Sequence, residues 1–185
     1  MTKKIVWIDT ETTGLIPEED YTLEIAAVIT DFELNELAVF NSVIGWPNTP
    51  MILLKDQAND YVREMHEESG LWDRVEAVGK VKHDSYSADK YFLEFLKEHG
   101  AVGSVIGGNS ITHDRNFLKA DLPKSYESLH YRSIDVTGIA LLAKEWYGEE
   151  YTKEKKHEAL ADIRESIEEL KYLRNAVFWD GTYSL

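Results

Sequence analysis

Apolar and polar residues alternate in a way that predicts three strands within the first 44 residues. Residues 5–8 are β-branched or aromatic, which is typical of a buried strand. Further strands are predicted over residues 22–30 and 37–44. The polar segment 31–36 between them is typical of a turn, so the second and third strands are expected to form a hairpin.

The second half of the chain alternates helices with short strands. A helix capped by Ser87 is predicted to end at Gly100, and strands are predicted over residues 102–108 and 133–136, the latter followed by a helix. A last helix beginning near Glu158 carries one apolar stripe, formed by Leu160, Ile163, Ile167, Leu170 and Leu173. This order of elements predicts an α/β fold with a mixed sheet, in a single domain over residues 1–185.

The composition excludes several classes of protein. The chain has no cysteine, which excludes disulfides, cysteine nucleophiles and cysteine-based zinc sites, and fits a reducing, cytoplasmic location. No apolar run approaches the roughly 18–20 residues that span a bilayer, so no membrane association is expected. The first strand is predicted close behind the N-terminus, so a signal peptide is not expected either.

The charge narrows the range of partners. Asp and Glu number 34 against 20 Lys and Arg, which gives a net charge of −14. Non-specific DNA binding depends on many Lys and Arg contacts to phosphates, so binding to long duplex DNA is not expected. The acidic excess is either a solvated surface or, in part, a cluster of carboxylates that holds divalent cations.

The first candidate carboxylates lie at the end of the first predicted strand. Asp9 and Glu11 are two residues apart, and a strand repeats every two residues, so both are expected to point to the same side. Hard divalent cations prefer such oxygen ligands. A second triplet of this kind, Asp31-Phe32-Glu33, falls in the predicted hairpin turn and is interpreted as solvated surface.

The remaining candidates lie near the starts of helices. His157 and Asp162 form a His-x4-Asp pair at the start of the last helix, and His130 and Asp135 repeat that spacing ahead of a strand. Asp114 follows a short strand at an expected helix start, where an acid is favourable in any case. Each of these residues, taken alone, is equally compatible with an ordinary surface position.

Their order along the chain resembles that of the DEDDh 3′→5′ exonucleases. Flanking residues are similar to the oligoribonuclease branch of that superfamily over essentially the whole chain. The segments that carry this resemblance are WIDTETTGL (7–15), HEESGL (66–71), GNSI (108–111) with Asp114 and Arg115, HYR (130–132) and HEALADIRES (157–166). The first is common to many such exonucleases, whereas GNS and HYR are specific to this branch.

The resemblance implies a ribonuclease H-like fold with a mixed five-stranded sheet flanked by helices. It implies removal of nucleotides from the 3′ end of very short RNAs, dinucleotides above all, to give 5′-mononucleotides. Two Mg²⁺ or Mn²⁺ ions would be held by Asp9, Glu11, Asp114 and Asp162. His157 would be the general base, a role that suits the near-neutral pKa of histidine.

The resemblance also implies a set of substrate-binding residues and a homodimer. Ser110, Arg132 and Thr137 would bind the 5′ phosphate, and Tyr131 would reach the site from the dimer partner. Leu15 would insert between the two bases, and Tyr61 would stack on one of them. His66 belongs to the same set of substrate-binding residues. Two positions depart from the family, in which Trp is common at the position of Tyr61 and Ser at that of Thr137. The segment 146–156, which leads to His157, is also shorter than usual.

Two alternatives to this interpretation are a second type of nuclease and, from another class, a binding protein. A proofreading-type DEDDh exonuclease acting on single-stranded DNA ends would share the five catalytic residues but would not require the phosphate contacts of Ser110 and Arg132. A catalytically inactive binding module would not need all five catalytic positions to be filled, as they are here.

Overall fold

Five strands form one sheet in the part of the chain that the computed structural model describes, residues 3–152 and 158–178. The strands are β1 (Lys4–Thr12), β2 (Thr22–Asp31), β3 (Glu36–Val43), β4 (Val105–Gly108) and β5 (Ser133–Asp135). Their order in the sheet is β3-β2-β1-β4-β5. β2 is antiparallel to both β1 and β3, whereas β1, β4 and β5 are parallel, so the predicted mixed five-stranded sheet is confirmed.

Helices fill most of the remaining described chain. They are α1 (Met51–Gln57), α2 (Asp60–Glu68), α3 (Leu71–Lys80), α4 (Ser85–Glu98), α5 (Thr112–Asp121), α6 (Pro123–Ser128), α7 (Val136–Tyr147) and α8 (Ala159–Val177). Within the described ranges, none of these helices is both long enough and apolar enough to cross a membrane.

Both faces of the sheet are covered, because alternate residues of β1 point to opposite sides. Val6 and Ile8 pack with buried residues of α4 and α5. Ile5 and Trp7 pack with buried residues of α7 and α8. Asp9 and Glu11 continue this second series, so they project toward the side that α8 covers.

Capping residues move several predicted boundaries. α4 begins earlier than predicted because Asp84, not Ser87, is its cap: one Asp84 carboxylate oxygen accepts from the backbone N–H of Ser87 at 3.0 Å and from its hydroxyl at 2.8 Å. The predicted end near Gly100 is confirmed, since Gly100 follows the helix with φ +56°. β4 is shorter than predicted, and α7 begins at Val136, directly after its cap Asp135.

The helices α1 to α3 were not predicted. They bury Leu54, Leu71, Trp72 and Val75 in a third apolar cluster, together with Leu23 at the start of β2. Each helix has only 7 to 10 residues, too few for the apolar period to stand out from the sequence. Their position matters because they cover the end of β2 beside the carboxylates of β1.

Candidate active site

Three carboxylates meet at one side of the sheet. Asp9 and Glu11 lie on β1, which continues past Asp9 to Thr12 rather than ending there. Asp162 comes from the first turn of α8. One carboxylate oxygen of each residue lies within 4.8 Å of the other two, and all three side chains are partly buried. The predicted same-side arrangement of Asp9 and Glu11 is therefore present, and α8 adds Asp162 to it.

The local sequence of α8 explains why Asp162 faces the sheet. Ile163 and Ile167, on the buried stripe, pack with Trp7 and Ala26. Asp162 precedes Ile163 and sits at the edge of that stripe. The apolar stripe thus directs an acidic residue toward β1.

Asp114 approaches the same end of β1 from the other side of the sheet. It lies in the first turn of α5 and is buried. One of its carboxylate oxygens accepts hydrogen bonds from the backbone N–H and from the hydroxyl of Thr10, both at 2.8 Å. Asp114 is therefore fixed beside Asp9 by the residue that follows Asp9, and it is not an ordinary surface acid.

The crowding of carboxylates shifts their protonation. Burial, and then the charges of Asp114, Glu11 and Asp162, raise the pKa of Asp9 well above its usual value. Burial, and then the charge of Glu24, raise the pKa of Glu11 from 4.5 to about 7. Concentrated negative charge with converging oxygens is the environment that hard divalent cations require, so the residues fit a divalent metal site.

The predicted general base lies outside the described residues. His157 falls in the segment 153–157, between the two described ranges.

The other His-x4-Asp pair, His130 and Asp135, lies in different surroundings. His130 accepts a hydrogen bond from the backbone N–H of Arg132, and Asp135 accepts from the backbone of Ser110 and Thr137.

The structure brings together two of the predicted phosphate-binding residues. The backbone N–H of Ser110 donates to the Thr137 hydroxyl at 2.9 Å and to Asp135 at 3.1 Å, and the two hydroxyl oxygens of Ser110 and Thr137 are 3.3 Å apart. Ser110 has φ +49°, so the chain turns sharply after β4. Both hydroxyls therefore lie together at the carboxyl ends of β4 and β5.

Arg132 and Tyr131 are exposed beside the start of β5. The Arg132 guanidinium lies 5.4 Å from the centroid of the Tyr131 ring, which stacks in turn on His130 at 4.5 Å. Tyr131 is 71% exposed. An aromatic side chain held outward in this way is available to a ligand or to another protein chain.

The residues predicted to contact the bases differ in exposure. Leu15 is 80% exposed and Tyr61 is 68% exposed, so both are open to a ligand. His66 is instead buried: its Nε2–H donates to the carbonyl of Thr12 at 3.0 Å, and its Nδ1 lies 3.9 Å from a Glu11 carboxylate oxygen. Burial lowers the pKa of His66, so the ring beside Glu11 is favoured in its neutral form.

Comparison with known proteins decides the family. A profile described as Exonuclease, RNase T, matches residues 6–170. The oligoribonuclease of Leifsonia xyli subsp. xyli is 41% identical over 179 residues, which cover 95% of this chain and 84% of that protein. The chain belongs to the oligoribonuclease family. The mitochondrial oligoribonuclease of Homo sapiens is 39% identical over 184 residues, covering 96% of this chain and 75% of that protein.

Solved structures of exonuclease I share the fold at low sequence identity. The exonuclease I of Methylocaldum szegediense superposes with a TM-score of 0.63 at 16% identity, over 95% of this chain and 41% of that chain. The present chain thus spans about two fifths of that protein. This likeness confirms the predicted ribonuclease H-like exonuclease fold.

The family match also confirms the predicted class of enzyme. The chain is a nuclease, an exoribonuclease of the oligoribonuclease family. The proofreading-type alternative is not favoured by these relatives.

Two charged residues beside the carboxylate cluster were not predicted from the sequence. Glu24 of β2 pairs directly with Glu11 of β1 and forms an ion pair with Arg74 of α3 at 2.9 Å. A signal for Glu24 was present, because it is the one acidic residue within the apolar stretch 22–30. Arg74 had none, since 50 residues separate it from its partner.

Proposed function

We propose that this protein is a 3′→5′ exoribonuclease that hydrolyses very short RNA, dinucleotides above all, to 5′-mononucleotides. Residues 1–185 form a single exonuclease domain in this proposal. The observation that carries it is the convergence of Asp9, Glu11 and Asp162 oxygens within 4.8 Å, in a chain of the oligoribonuclease family. Converging carboxylates on β1 and α8 supply a metal site where a nuclease needs one.

Divalent cations, Mg²⁺ or Mn²⁺, are the proposed cofactors. Asp9, Glu11, Asp114 and Asp162 would hold two of them, an assignment supported by the elevated pKa values of Asp9 and Glu11. When bound, such ions activate the attacking water and stabilise the leaving 3′ oxygen. The protein keeps the carboxylates in position, for example by the two hydrogen bonds from Thr10 to Asp114.

The proton from the attacking water goes to His157 in this proposal. The assignment rests on the resemblance of the segment 157–166 to the family and on the near-neutral pKa of histidine. Glu158 and Ala159, which follow His157, border the same pocket as Glu11, which supports a position for the base close to the carboxylates.

The proposed binding site for the 5′ phosphate comprises Ser110, Arg132 and Thr137. Support comes from the 3.3 Å separation of the Ser110 and Thr137 hydroxyl oxygens and from the exposure of Arg132. Hydroxyls and a guanidinium are donors that a phosphate accepts well. Leu15 and Tyr61, both exposed, are proposed to contact the bases, and His66 to support the site beside Glu11.

A direct test compares substrates of different length and chemistry. We expect the 5′-phosphorylated diribonucleotide to have a higher kcat/KM than a seven-mer RNA, and single-stranded DNA to be the poorest substrate, under Mg²⁺ and Mn²⁺ alike. The reason is that a pocket that binds the terminal phosphate fits a dinucleotide best. Faster turnover of long single-stranded DNA would instead favour a proofreading-type enzyme.

The same comparison at several salt concentrations tests the length preference independently. For single strands, log affinity falls with log salt by about 0.7 per neutralised phosphate. A dinucleotide offers one or two phosphates, so we expect a slope of about 1 in magnitude. A slope of several, or much tighter binding of long RNA, contradicts the proposal.

We also propose that the protein is a homodimer in which Tyr131 completes the active site of the partner subunit. The support is an apolar surface on α7, next to β5, where the side chains of Leu141, Leu142, Trp146 and Tyr147 are exposed. Large exposed apolar patches mark interaction surfaces, and symmetric dimers are the commonest oligomers. The exposed Tyr131 lies just ahead of β5 and is suited to contact a phosphate through its hydroxyl.

Mixing two variants, one weakened and one inactive, tests this shared site. Tyr131→Ala should weaken dinucleotide cleavage without changing Mn²⁺ binding, and Asp9→Ala should abolish cleavage. A mixture of the two should regain activity after subunit exchange, because one of the two sites in each heterodimer then has intact carboxylates and an intact Tyr131. A fully active monomer in analytical ultracentrifugation, or exchange without any rescue, contradicts the shared site.

A cytoplasmic location stays a prediction, made from the cysteine-free composition.

A further inference from the structure

A fifth carboxylate lies beside the proposed metal ligands. The pairing of β1 with β2 sets Glu24 directly opposite Glu11. Opposed residues of an antiparallel pair project from the same face, with Cβ atoms about 4.5–5.5 Å apart. Glu24 is only 4% exposed and is flanked on β2 by the buried Leu23 and Ile25. A carboxylate buried in this way requires a partner of opposite charge.

Arg74 is that partner. Its Nη1 lies 2.9 Å from a Glu24 carboxylate oxygen, and the Arg74 side chain remains 46% exposed. Arg74 reaches the sheet because Leu71 and Val75, on the same helix α3, are packed in the apolar cluster with Leu23. The guanidinium therefore lies at the mouth of the site, with its partner inside.

Glu11, Glu24 and Arg74 line one pocket of about 250 Å³. Arg74 is close enough to Glu11 to lower its pKa, although burial and Glu24 together raise that pKa by more. A guanidinium released from Glu24 would thus find Glu11 within its electrostatic range. A Glu24 released from Arg74 would be a free carboxylate next to the ligands.

The ion pair also adjusts the charge of the site. Arg74 offsets part of the charge of Glu24, so the main charges that face a cation are those of Asp9, Glu11, Asp114 and Asp162. Four negative charges match two divalent cations, whereas a fifth would leave one uncompensated.

We propose that Glu24 and Arg74 are positioning residues for Glu11: Glu24 holds the guanidinium away from Glu11, and Arg74 prevents Glu24 from acting as an additional metal ligand. This inference rests on the proposed metal-dependent nuclease. The pair then does more than join α3 to the sheet: Glu24 keeps Arg74 from pairing with Glu11, and Arg74 keeps Glu24 from binding the metal.

The proposal predicts different effects for the two single substitutions on Mn²⁺ binding, measured by electron paramagnetic resonance of the free ion. Glu24→Gln frees Arg74 to pair with Glu11, so Mn²⁺ affinity should fall about 10–100-fold, as for the loss of other groups that orient metal ligands. Arg74→Gln removes a positive charge and frees Glu24, so Mn²⁺ affinity should not fall, while turnover should drop about tenfold. The double variant should regain most of the Mn²⁺ affinity that Glu24→Gln loses.

A purely structural ion pair gives a different pattern. Each variant would then melt at a lower temperature, yet the folded protein would bind Mn²⁺ as the wild type does. Unchanged Mn²⁺ binding by folded Glu24→Gln, or a double variant as weak as that single variant, overturns the proposal. If Glu24→Gln does not fold, the half-exposed Arg74→Gln variant decides, and full turnover by it overturns the proposal.

Two further variants complete the design. Arg174 forms another ion pair, with Glu33 at 3.5 Å, in the last turn of α8 and therefore at the end away from Asp162. Arg174→Gln removes this guanidinium and should change neither Mn²⁺ binding nor turnover. Asp9→Asn separates the two proposals. If the wild type binds Mn²⁺ no better than Asp9→Asn, the proposed function fails; if it does bind better but Glu24→Gln matches the wild type, only the positioning role fails.

Discussion

Asp9→Asn is expected to lower dinucleotide turnover by about 10³-fold or more, because catalytic groups that act as a unit lose most of their effect when one is removed. Asp9 stands at the centre of the site, where the charges of Asp114, Glu11 and Asp162 all act on it. The same variant should lose the rise in melting temperature that Mg²⁺ or Mn²⁺ gives the wild type, since a ligand stabilises only the form that binds it. Turnover and thermal melting, with and without the cation, measure both effects.

The fold should survive this substitution and even gain stability without cations. Burial and neighbouring acids raise the pKa values of the Asp9 and Glu11 carboxyl groups, so these groups bind a proton more tightly in the folded state than in the unfolded chain. Protonation of these groups therefore stabilises the fold at acid pH, and this stabilisation is lost as the pH rises. For Glu11 the loss occurs between about pH 4.5 and about pH 7. Metal-free Asp9→Asn should therefore melt above the metal-free wild type at pH 8, with a smaller difference at pH 5.

Asp31→Asn is the matched control, since Asp31 and Glu33 repeat the spacing of Asp9 and Glu11. Asp31 is at the end of β2 and accepts hydrogen bonds from the backbone and side chain of Asn35, as expected of a turn residue. Its substitution should leave turnover and cation stabilisation unchanged. Loss of activity in Asp31→Asn with retention in Asp9→Asn would show that the carboxylates have been wrongly assigned.

The parts of the site that depend on local periodicity were predictable from the sequence. The two-residue spacing of Asp9 and Glu11 fixed their common side once β1 was recognised, and the apolar stripe of α8 fixed the direction of Asp162. The mixed five-stranded sheet and the predicted phosphate-binding residues came from resemblance to the family, and the order of the strands was not predicted, because strand pairing between distant segments has no local signal. The hydrogen bonds from Thr10 to Asp114 likewise join residues 104 positions apart, and no local pattern predicts them.

The parts that depend on tertiary packing were not predictable. Helices α1 to α3 are short, and it is their burial against Leu23, rather than a clear apolar period, that holds them in place. Arg74 therefore could not be assigned to the site from sequence. His66 shows the same limit, since its burial and its contact with the Thr12 carbonyl follow from the packing of α2 beside β1.

His157→Ala is expected to slow dinucleotide turnover by about 10²–10⁴-fold, the usual contribution of a general base. The proposed role is to accept a proton from water, not to hold the cation or the phosphate. Mn²⁺ affinity and dinucleotide binding should therefore stay close to those of the wild type. Turnover at saturating substrate, together with Mn²⁺ binding by electron paramagnetic resonance, separates these effects.

The pH profile gives His157 a readout that structural damage would not produce. A general base works only when unprotonated, so wild-type kcat should rise with pH across the near-neutral range in which histidines titrate, and this rise should be absent in His157→Ala. His130→Ala is the control: its ring accepts from the Arg132 backbone and stacks on Tyr131, so its loss should raise KM and leave the shape of the kcat profile intact. If His157→Ala keeps full turnover, or if His130→Ala is the variant that loses the pH-dependent rise, then His157 is not the base.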